Sequence, residues 1–146
     1  MMPCGECTLC CKLLETHDEK TASPIGIYCK HCDHNKGCTI YKDRPEECRI
    51  YQCMWTQMEN VGEELRPDKC GVIFDRISDD VISARIEKGL KLNKLVVKQI
   101  ESFNREGFSV LIFREQNSKC FLAKTHSEEY VRGIVDGHAK LHRRLD

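Results

Sequence analysis

Hydrophobic and polar residues follow a regular pattern mainly in the second half of the chain. Two runs rich in β-branched residues, at positions 70–77 and 81–87, are separated by the turn-forming residues 78–80, which predicts a β-hairpin. Two further runs, at 108–114 and 119–124, flank another polar turn and predict a second hairpin. The pattern therefore predicts four strands in two consecutive hairpins.

Helical spacing follows each of these hairpins. Apolar residues recur at intervals of three and four positions between 95 and 103, with Asn93 as the predicted N-cap and Gly107 as the predicted stop. Ser127 is predicted to cap a last helix that continues to Leu145.

The order of hairpin, helix, hairpin and helix predicts an α+β fold. We expect a small antiparallel sheet with two helices on one face, in the order ββαββα. This body covers residues 59–146, and a cysteine-rich metal-binding segment at residues 1–58 packs on it to form one compact unit.

Composition excludes several functional classes. The 146 residues carry a formal net charge of zero, so no surplus of Lys and Arg attracts nucleic acid. No apolar run approaches the roughly 20 residues of a membrane-spanning helix. The first residues lack the basic and apolar regions of a secretory signal, which predicts a cytoplasmic protein with reduced thiols.

Cysteine is the outlying residue type in this chain. Nine of the eleven cysteines precede residue 54: Cys4, Cys7, Cys10, Cys11, Cys29, Cys32, Cys38, Cys48 and Cys53. Because the total is odd and the compartment is expected to be reducing, a disulfide scaffold is the weaker hypothesis and metal ligation the stronger one. Cys70 and Cys120 fall in predicted strands and are predicted to be small core residues.

The first cysteine group combines a ferredoxin-like spacing with one extra thiol. Cys4, Cys7 and Cys10 follow the CxxCxxC pattern of iron–sulfur sites. Cys11 breaks that pattern, because adjacent side chains usually diverge and rarely ligate one tetrahedral ion together. We therefore expect one of Cys10 and Cys11 to serve a second metal or to lie outside the ligand set.

The second group lies in a polar, turn-rich segment for which we predict neither helix nor strand. Cys29 and Cys32 form a CxxC pair, which favours metal binding when another close pair exists. Gly37 is expected to adopt the positive φ that turns Cys38 inward.

The third group begins at a predicted helix. Pro45 is expected at its first position and Cys48 in its first turn, where the helix N-terminus with Arg44 and Arg49 favours the thiolate form. The alternative is a buried structural cysteine. Cys53 lies about 140° around such a helix from Cys48, so either the helix ends before Cys53 or the two thiols serve different centres. Trp55 and Met54 are expected to shield the site from water.

Histidines are weaker metal-ligand candidates. His31 and His34 lie in the polar loop, where solvated side chains are the default and zinc ligation is the alternative. His138 and His142 share one face of the last predicted helix, but they continue its apolar stripe, which favours packing. No Ser-His-Asp set, carboxylate pair or phosphate-binding loop is recognisable, so no catalytic residue is assigned.

Two gap-free motifs carry a resemblance to a known family. CxxCxxCC at residues 4–11 and CxIYxxRPxxCR at residues 38–49 resemble the YkgJ-type cysteine-cluster family, which is described as zinc- or iron-chelating. The resemblance implies metal binding through about eight cysteines, and members are often labelled iron–sulfur oxidoreductases. The family usually has one cysteine between the motifs, so Cys29 and Cys32 compete for that role. Flagellin lysine methylases carry a similar cluster, but this chain lacks their added length, and methylation is not transferred.

Two functional hypotheses result. In one, the nine cysteines supply about eight thiolates to an iron–sulfur cluster in a redox protein. In the other, zinc has a structural role in an interaction module without catalysis. Either hypothesis allows one or two metal centres and an unidentified protein or small molecule as partner, and whether the protein is an enzyme stays open.

Overall fold

A computed structural model describes residues 6–33, 35–115 and 117–144 of the chain, with side chains to Lys140. The chain divides into two compact units, residues 1–73 and 74–146. Three residues named above, Cys4, His34 and Leu145, lie outside the described residues, as does the side chain of His142.

The first unit is built from short elements. Its helices and strands are α1 (Cys10–Leu13), β1 (Cys32–Asp33), β2 (Gly37–Cys38), α2 (Glu46–Ile50), α3 (Met54–Gln57) and α4 (Pro67–Cys70). Two 3₁₀ helices, Tyr41–Asp43 and Glu63–Leu65, lie between them. Helices of four or five residues are unstable in isolation, so contacts outside these elements must hold them in place.

The local predictions for this unit were partly wrong. The polar loop was expected to contain no strand, yet β1 and β2 form an antiparallel pair with Cys32 opposite Cys38. Two-residue strands are too short to show an alternating pattern, so no hydrophobic pattern indicates them. Gly37 has the predicted positive φ, at 86°. Pro45 is the N-cap of α2 and not its first residue.

The second unit contains most of a four-stranded sheet and two long helices. The strands are β3 (Val72–Arg76), β4 (Val81–Ile86), β5 (Ser109–Arg114) and β6 (Asn117–Phe121), hydrogen-bonded in that order. The helices are α5 (Lys94–Arg105) and α6 (Glu128–Arg144). The mixture of α and β structure was predicted.

The predicted helix starts are confirmed by capping hydrogen bonds. The Asn93 side chain accepts a bond from the Val96 N–H at 2.9 Å, and the Ser127 hydroxyl accepts one from the Tyr130 N–H at 3.2 Å. Gly107 follows α5 with φ at 95°, as a glycine stop requires.

The prediction of an all-antiparallel sheet was wrong. β4 and β5 are parallel, in a register from Val81 opposite Ser109 to Arg85 opposite Phe113, whereas β5 and β6 are antiparallel. The reason is that α5 lies between β4 and β5 in the chain and returns it to the end of the sheet where β4 began.

Burial also differs from the one-sided sheet that was expected. Val81 and Leu111 pack against Val131 and Val135 of α6. The next residues along the strands face the opposite side, and Ile82 and Val110 are fully buried there. Strands buried on both faces are typical of sheets with parallel pairs. None of the helices within the described ranges is both long enough and apolar enough to cross a membrane.

Candidate metal centre

An apolar anchor positions the first cysteine group. Leu9 and Leu13, at the two ends of the first helical turn, are buried against Ile73. Cys7 and Cys10 pack at the edge of the same cluster and are only half-buried. The leucines therefore fix the start of α1 while leaving these sulfur atoms partly accessible.

Backbone hydrogen bonds bring the second cysteine group to the first. The Cys29 N–H donates to the carbonyl of Cys11 at 2.8 Å, and the Gly26 N–H donates to the carbonyl of Lys12 at 2.7 Å. Cys29 is thereby placed beside α1, although eighteen positions separate it from Cys11.

The thiols of these two groups are in contact. The pKa of Cys11 is raised far above its ordinary value by a side-chain hydrogen bond with Cys10, by burial, and by the neighbouring thiol of Cys32. Burial also raises the pKa of Cys32, and the charges of Cys10 and Cys29 add to this effect. Cys11 therefore lies between thiols from two separate sequence segments.

Cys48 joins this group from α2. Its pKa is raised by burial, then by the Glu47 carboxylate, and then by the thiols of Cys10, Cys29 and Cys38. These interactions place all three cysteine groups within electrostatic range of one another. We use the name thiol cluster for Cys10, Cys11, Cys29, Cys32, Cys38 and Cys48.

The expectation that Cys48 favours the thiolate form was wrong. Arg49 is exposed, and the Arg44 guanidinium lies over the Tyr41 ring at 3.8 Å. Because α2 has only five residues, its dipole is small, and burial with the adjacent Glu47 carboxylate outweighs it. α2 ends at Ile50, before Cys53, which was one of the two predicted alternatives.

Glu47 also fixes the loop that follows α1. Its carboxylate accepts hydrogen bonds from the backbone N–H groups of His17 at 3.0 Å and Asp18 at 2.9 Å. The residue next to Cys48 thus connects α2 to the chain segment between the first and second cysteine groups.

A small cavity of about 20 Å³ lies beside the thiol cluster. It is lined by Cys7, Cys10, Cys53, Trp55, Thr56, Pro67 and Ile73. Trp55 is 7% exposed and Met54 is half-buried; their role in shielding a metal site stays a prediction. We call this cavity the Trp55 pocket.

Cys7 has a distinct electrostatic environment at this pocket. Burial raises the pKa of its thiol to about 11. Hydrogen bonds from the backbone N–H groups of Leu9 and Asp68 oppose this rise, and the nearby charges of Asp68 and Cys10 add to it. The pKa of Asp68 is lowered chiefly by its hydrogen bond from Arg66, at 2.6 Å.

The weaker ligand candidates within the described residues are Cys70, Cys120, His31 and His138. Cys70 is buried, as predicted for a small core residue, but it is the last residue of α4 and not part of a strand. Cys120 lies in β6 and is only half-buried, at the edge of the α6 core. His31 is half-buried and its backbone N–H lies 3.5 Å from the Cys29 sulfur. His138 is half-buried, which fits the predicted packing role.

The thiol cluster has the sulfur donors of a metal site, but its side chains are not arranged as a complete ligand set. The ten described cysteines are reduced, with no disulfide among them. No group of three or more His, Cys, Asp or Glu side chains in residues 6–33, 35–115 and 117–144 is spaced as metal ligands are. Sulfur donors of this type suit both zinc and iron–sulfur clusters.

A Ser-His-Asp arrangement in the second unit was missed by sequence reasoning. Ser109 Oγ lies 2.7 Å from His126 Nδ1, and His126 Nε2 lies 3.2 Å from Asp80. Ser109 is 0% exposed and its oxygen accepts the Ala123 N–H at 2.8 Å, so the serine hydroxyl is enclosed within the fold. The three residues come from separate loops and strands with no fixed spacing, and they form a structural hydrogen-bond network.

No protein-family model, curated protein or solved structure matches this chain significantly. The resemblance to the YkgJ-type family therefore stays a prediction from two sequence motifs.

Proposed function

We propose that this protein binds metal through cysteine thiolates, holding an iron–sulfur cluster or zinc in its first unit. The observation that carries the proposal is the meeting of thiols from three sequence segments. Cys11 contacts Cys10 and Cys32, and Cys48 lies within electrostatic range of Cys10, Cys29 and Cys38.

Partial exposure favours ligation over packing for this cluster. A cysteine that only fills space in a core is normally buried, as Cys70 is at 3% exposure. Every member of the thiol cluster is instead half-buried. Their sulfur atoms are thus gathered without being enclosed, which leaves a metal ion access to them.

The ligands come from the nine predicted cysteines, and both one and two centres fit the proposal. Cys11, Cys29, Cys32, Cys38 and Cys48 belong to the thiol cluster, Cys7 and Cys53 to the Trp55 pocket, and Cys10 to both. Cys4 is added on the sequence motif alone. An iron–sulfur cluster would supply one-electron redox chemistry, in line with the oxidoreductase label that the family resemblance implies.

The second candidate function is a structural zinc site in an interaction module. The observation that favours it is the small apolar core of the first unit, because small domains of this kind often depend on a metal for folding. In both candidates the cysteine-rich segment is proposed to pack on the ββαββα body predicted from the sequence.

Anaerobic purification with metal analysis, visible absorption and acid-labile sulfide determination tests the proposal. Bound iron with sulfide would support the redox candidate, and a colourless protein with stoichiometric zinc would support the structural one. Cys48→Ser should lower the metal content, whereas Cys120→Ser, in the second unit, should not. A wild-type protein without bound metal, or equal metal content in the two variants, would contradict the proposal.

A further inference from the structure

The Trp55 side chain is buried without a hydrogen-bond partner. It is 7% exposed, and its Nε1–H has no acceptor among the residues that the structure describes. A buried indole N–H usually finds a partner, and leaving one unpaired is unfavourable. Trp55, a lining residue of the Trp55 pocket, therefore carries a buried donor that lacks an acceptor.

The candidate hydrogen-bond acceptors in this pocket are the sulfur atoms of cysteines. Three of its seven lining residues are Cys7, Cys10 and Cys53. A neutral thiol accepts hydrogen bonds only weakly, whereas a metal-bound thiolate is anionic and accepts a stronger, charge-assisted bond. The Thr56 hydroxyl donates to the Cys53 carbonyl at 2.6 Å.

A trapped water is a less suitable partner for the indole. The cavity, at about 20 Å³, has room for about one water, but a buried water normally makes two to four hydrogen bonds. Pro67 and Ile73 contribute only apolar side chains to the lining. Metal-bound sulfur satisfies the indole without requiring further polar groups.

We infer that the Trp55 pocket holds metal-ligating thiolates and that Trp55 Nε1–H donates a hydrogen bond to one of their sulfur atoms. This inference rests on the proposed metal-binding function. Cys10 lines the pocket and its thiol is in hydrogen-bond contact with Cys11, so Cys10 links the pocket to the thiol cluster. Trp55 acts as a positioning residue that stabilises electron-rich sulfur.

The test uses the single tryptophan of the sequence, whose indole N–H gives one ¹H–¹⁵N resonance. The full chain, reduced and freed of metal, is titrated with Cd²⁺ as a thiolate-binding probe, and bound Cd²⁺ is measured separately. We expect the indole proton to shift downfield and to exchange more slowly with solvent as Cd²⁺ binds. Trp55→Phe should weaken Cd²⁺ binding by about 10-fold, while Tyr130→Phe, at an aromatic residue of the second unit, should retain the wild-type affinity.

The outcomes separate this inference from the proposed function. Cd²⁺ bound at stoichiometric amounts with an unmoved indole resonance would overturn the role of Trp55 and leave metal binding intact. Equal Cd²⁺ affinity in Trp55→Phe and the wild type would overturn it as well. Failure of the wild type to bind Cd²⁺ would overturn the proposed function and, with it, the inference.

Discussion

Asp80 receives polar contacts from three parts of the second unit. The Tyr130 hydroxyl donates to it at 2.8 Å, the Ser78 hydroxyl lies at 3.0 Å, and His126 Nε2 lies at 3.2 Å. The Tyr130 bond is the main cause of the lowered pKa of Asp80. Because the folded-state pKa is below the unfolded one, the resulting stabilisation is present above about pH 4 and is lost as pH falls through the lowered pKa.

Tyr130→Phe should raise the pKa of Asp80 towards its ordinary value, because the variant removes the largest stabilising contact of the carboxylate. The variant should be less stable than the wild type at pH 6, and the difference should shrink below about pH 4. Carboxyl-carbon NMR titration and urea unfolding at several pH values measure both effects. Tyr41→Phe, at an exposed tyrosine of the first unit, is the control. A stability difference that stays constant between pH 6 and pH 2 would contradict the explanation.

At the level of elements, the backbone conformation of Gly37 determines how the turn between β1 and β2 leads into Cys38. Its φ of 86° places it in the left-handed region, immediately before Cys38. A Cβ added there would meet no atom within 4 Å, so only the backbone conformation opposes a larger residue. Gly133, in the middle of α6, also has open space at its Cβ position but lacks a positive φ.

Gly37→Ala and Gly133→Ala should therefore change stability in opposite directions. Gly37→Ala should destabilise the first unit by about 1 kcal/mol through left-handed strain, and it should reduce metal content because Cys38 shifts relative to Cys32. Gly133→Ala should stabilise the second unit by up to about 1 kcal/mol. Urea unfolding followed by Trp55 fluorescence and by circular dichroism separates the two units. If Gly133→Ala also destabilised the protein, the explanation from open space and helix propensity at Gly133 would be wrong.

The elements that could be predicted from the sequence were those long enough to show a repeating pattern of apolar residues. The apolar positions of α5, with Asn93 and Gly107 at its ends, predicted its bounds closely. The direction of β5 relative to β4 was not predictable, because a hairpin pattern fixes only the two strands that it joins. The path of α5 determines that direction, and it depends on packing across the whole sheet.

The sequence predicted which cysteines belong to the candidate site, but it did not predict the direction of the pKa shift of Cys48. Cysteine spacing predicted that three cysteine groups supply ligands together, and Cys48 lies within electrostatic range of Cys10, Cys29 and Cys38; their ligand role stays a prediction. Sequence proximity suggested that Arg44 would favour the Cys48 thiolate, but side-chain direction and burial decide the pKa, and neither follows from spacing. The buried Ser109 network was missed for a similar reason, because its members meet only through tertiary packing.

At the scale of the whole molecule, the apolar core is divided unequally between the two units. Of the buried hydrophobic side chains among the described residues, six lie in residues 6–73 and fourteen in the remainder. A unit with so few buried apolar groups gains little hydrophobic stabilisation. Under the proposed function, metal–thiolate bonds supply much of the stability that the first unit lacks.

Metal removal should consequently unfold one unit and leave the other folded. When the reduced full chain is treated with a strong chelator, we expect the amide resonances of Cys29, Cys32 and Cys38 to lose their dispersion. Those of Val110 and Leu111 should stay in place, because both side chains are fully or almost fully buried within the second unit's own core. Cys48→Ser should produce the same pattern without a chelator, and Cys120→Ser should not. Simultaneous loss of dispersion in both units would mean that the second unit depends on the first for its fold, and unchanged spectra would mean that the metal contributes nothing to folding.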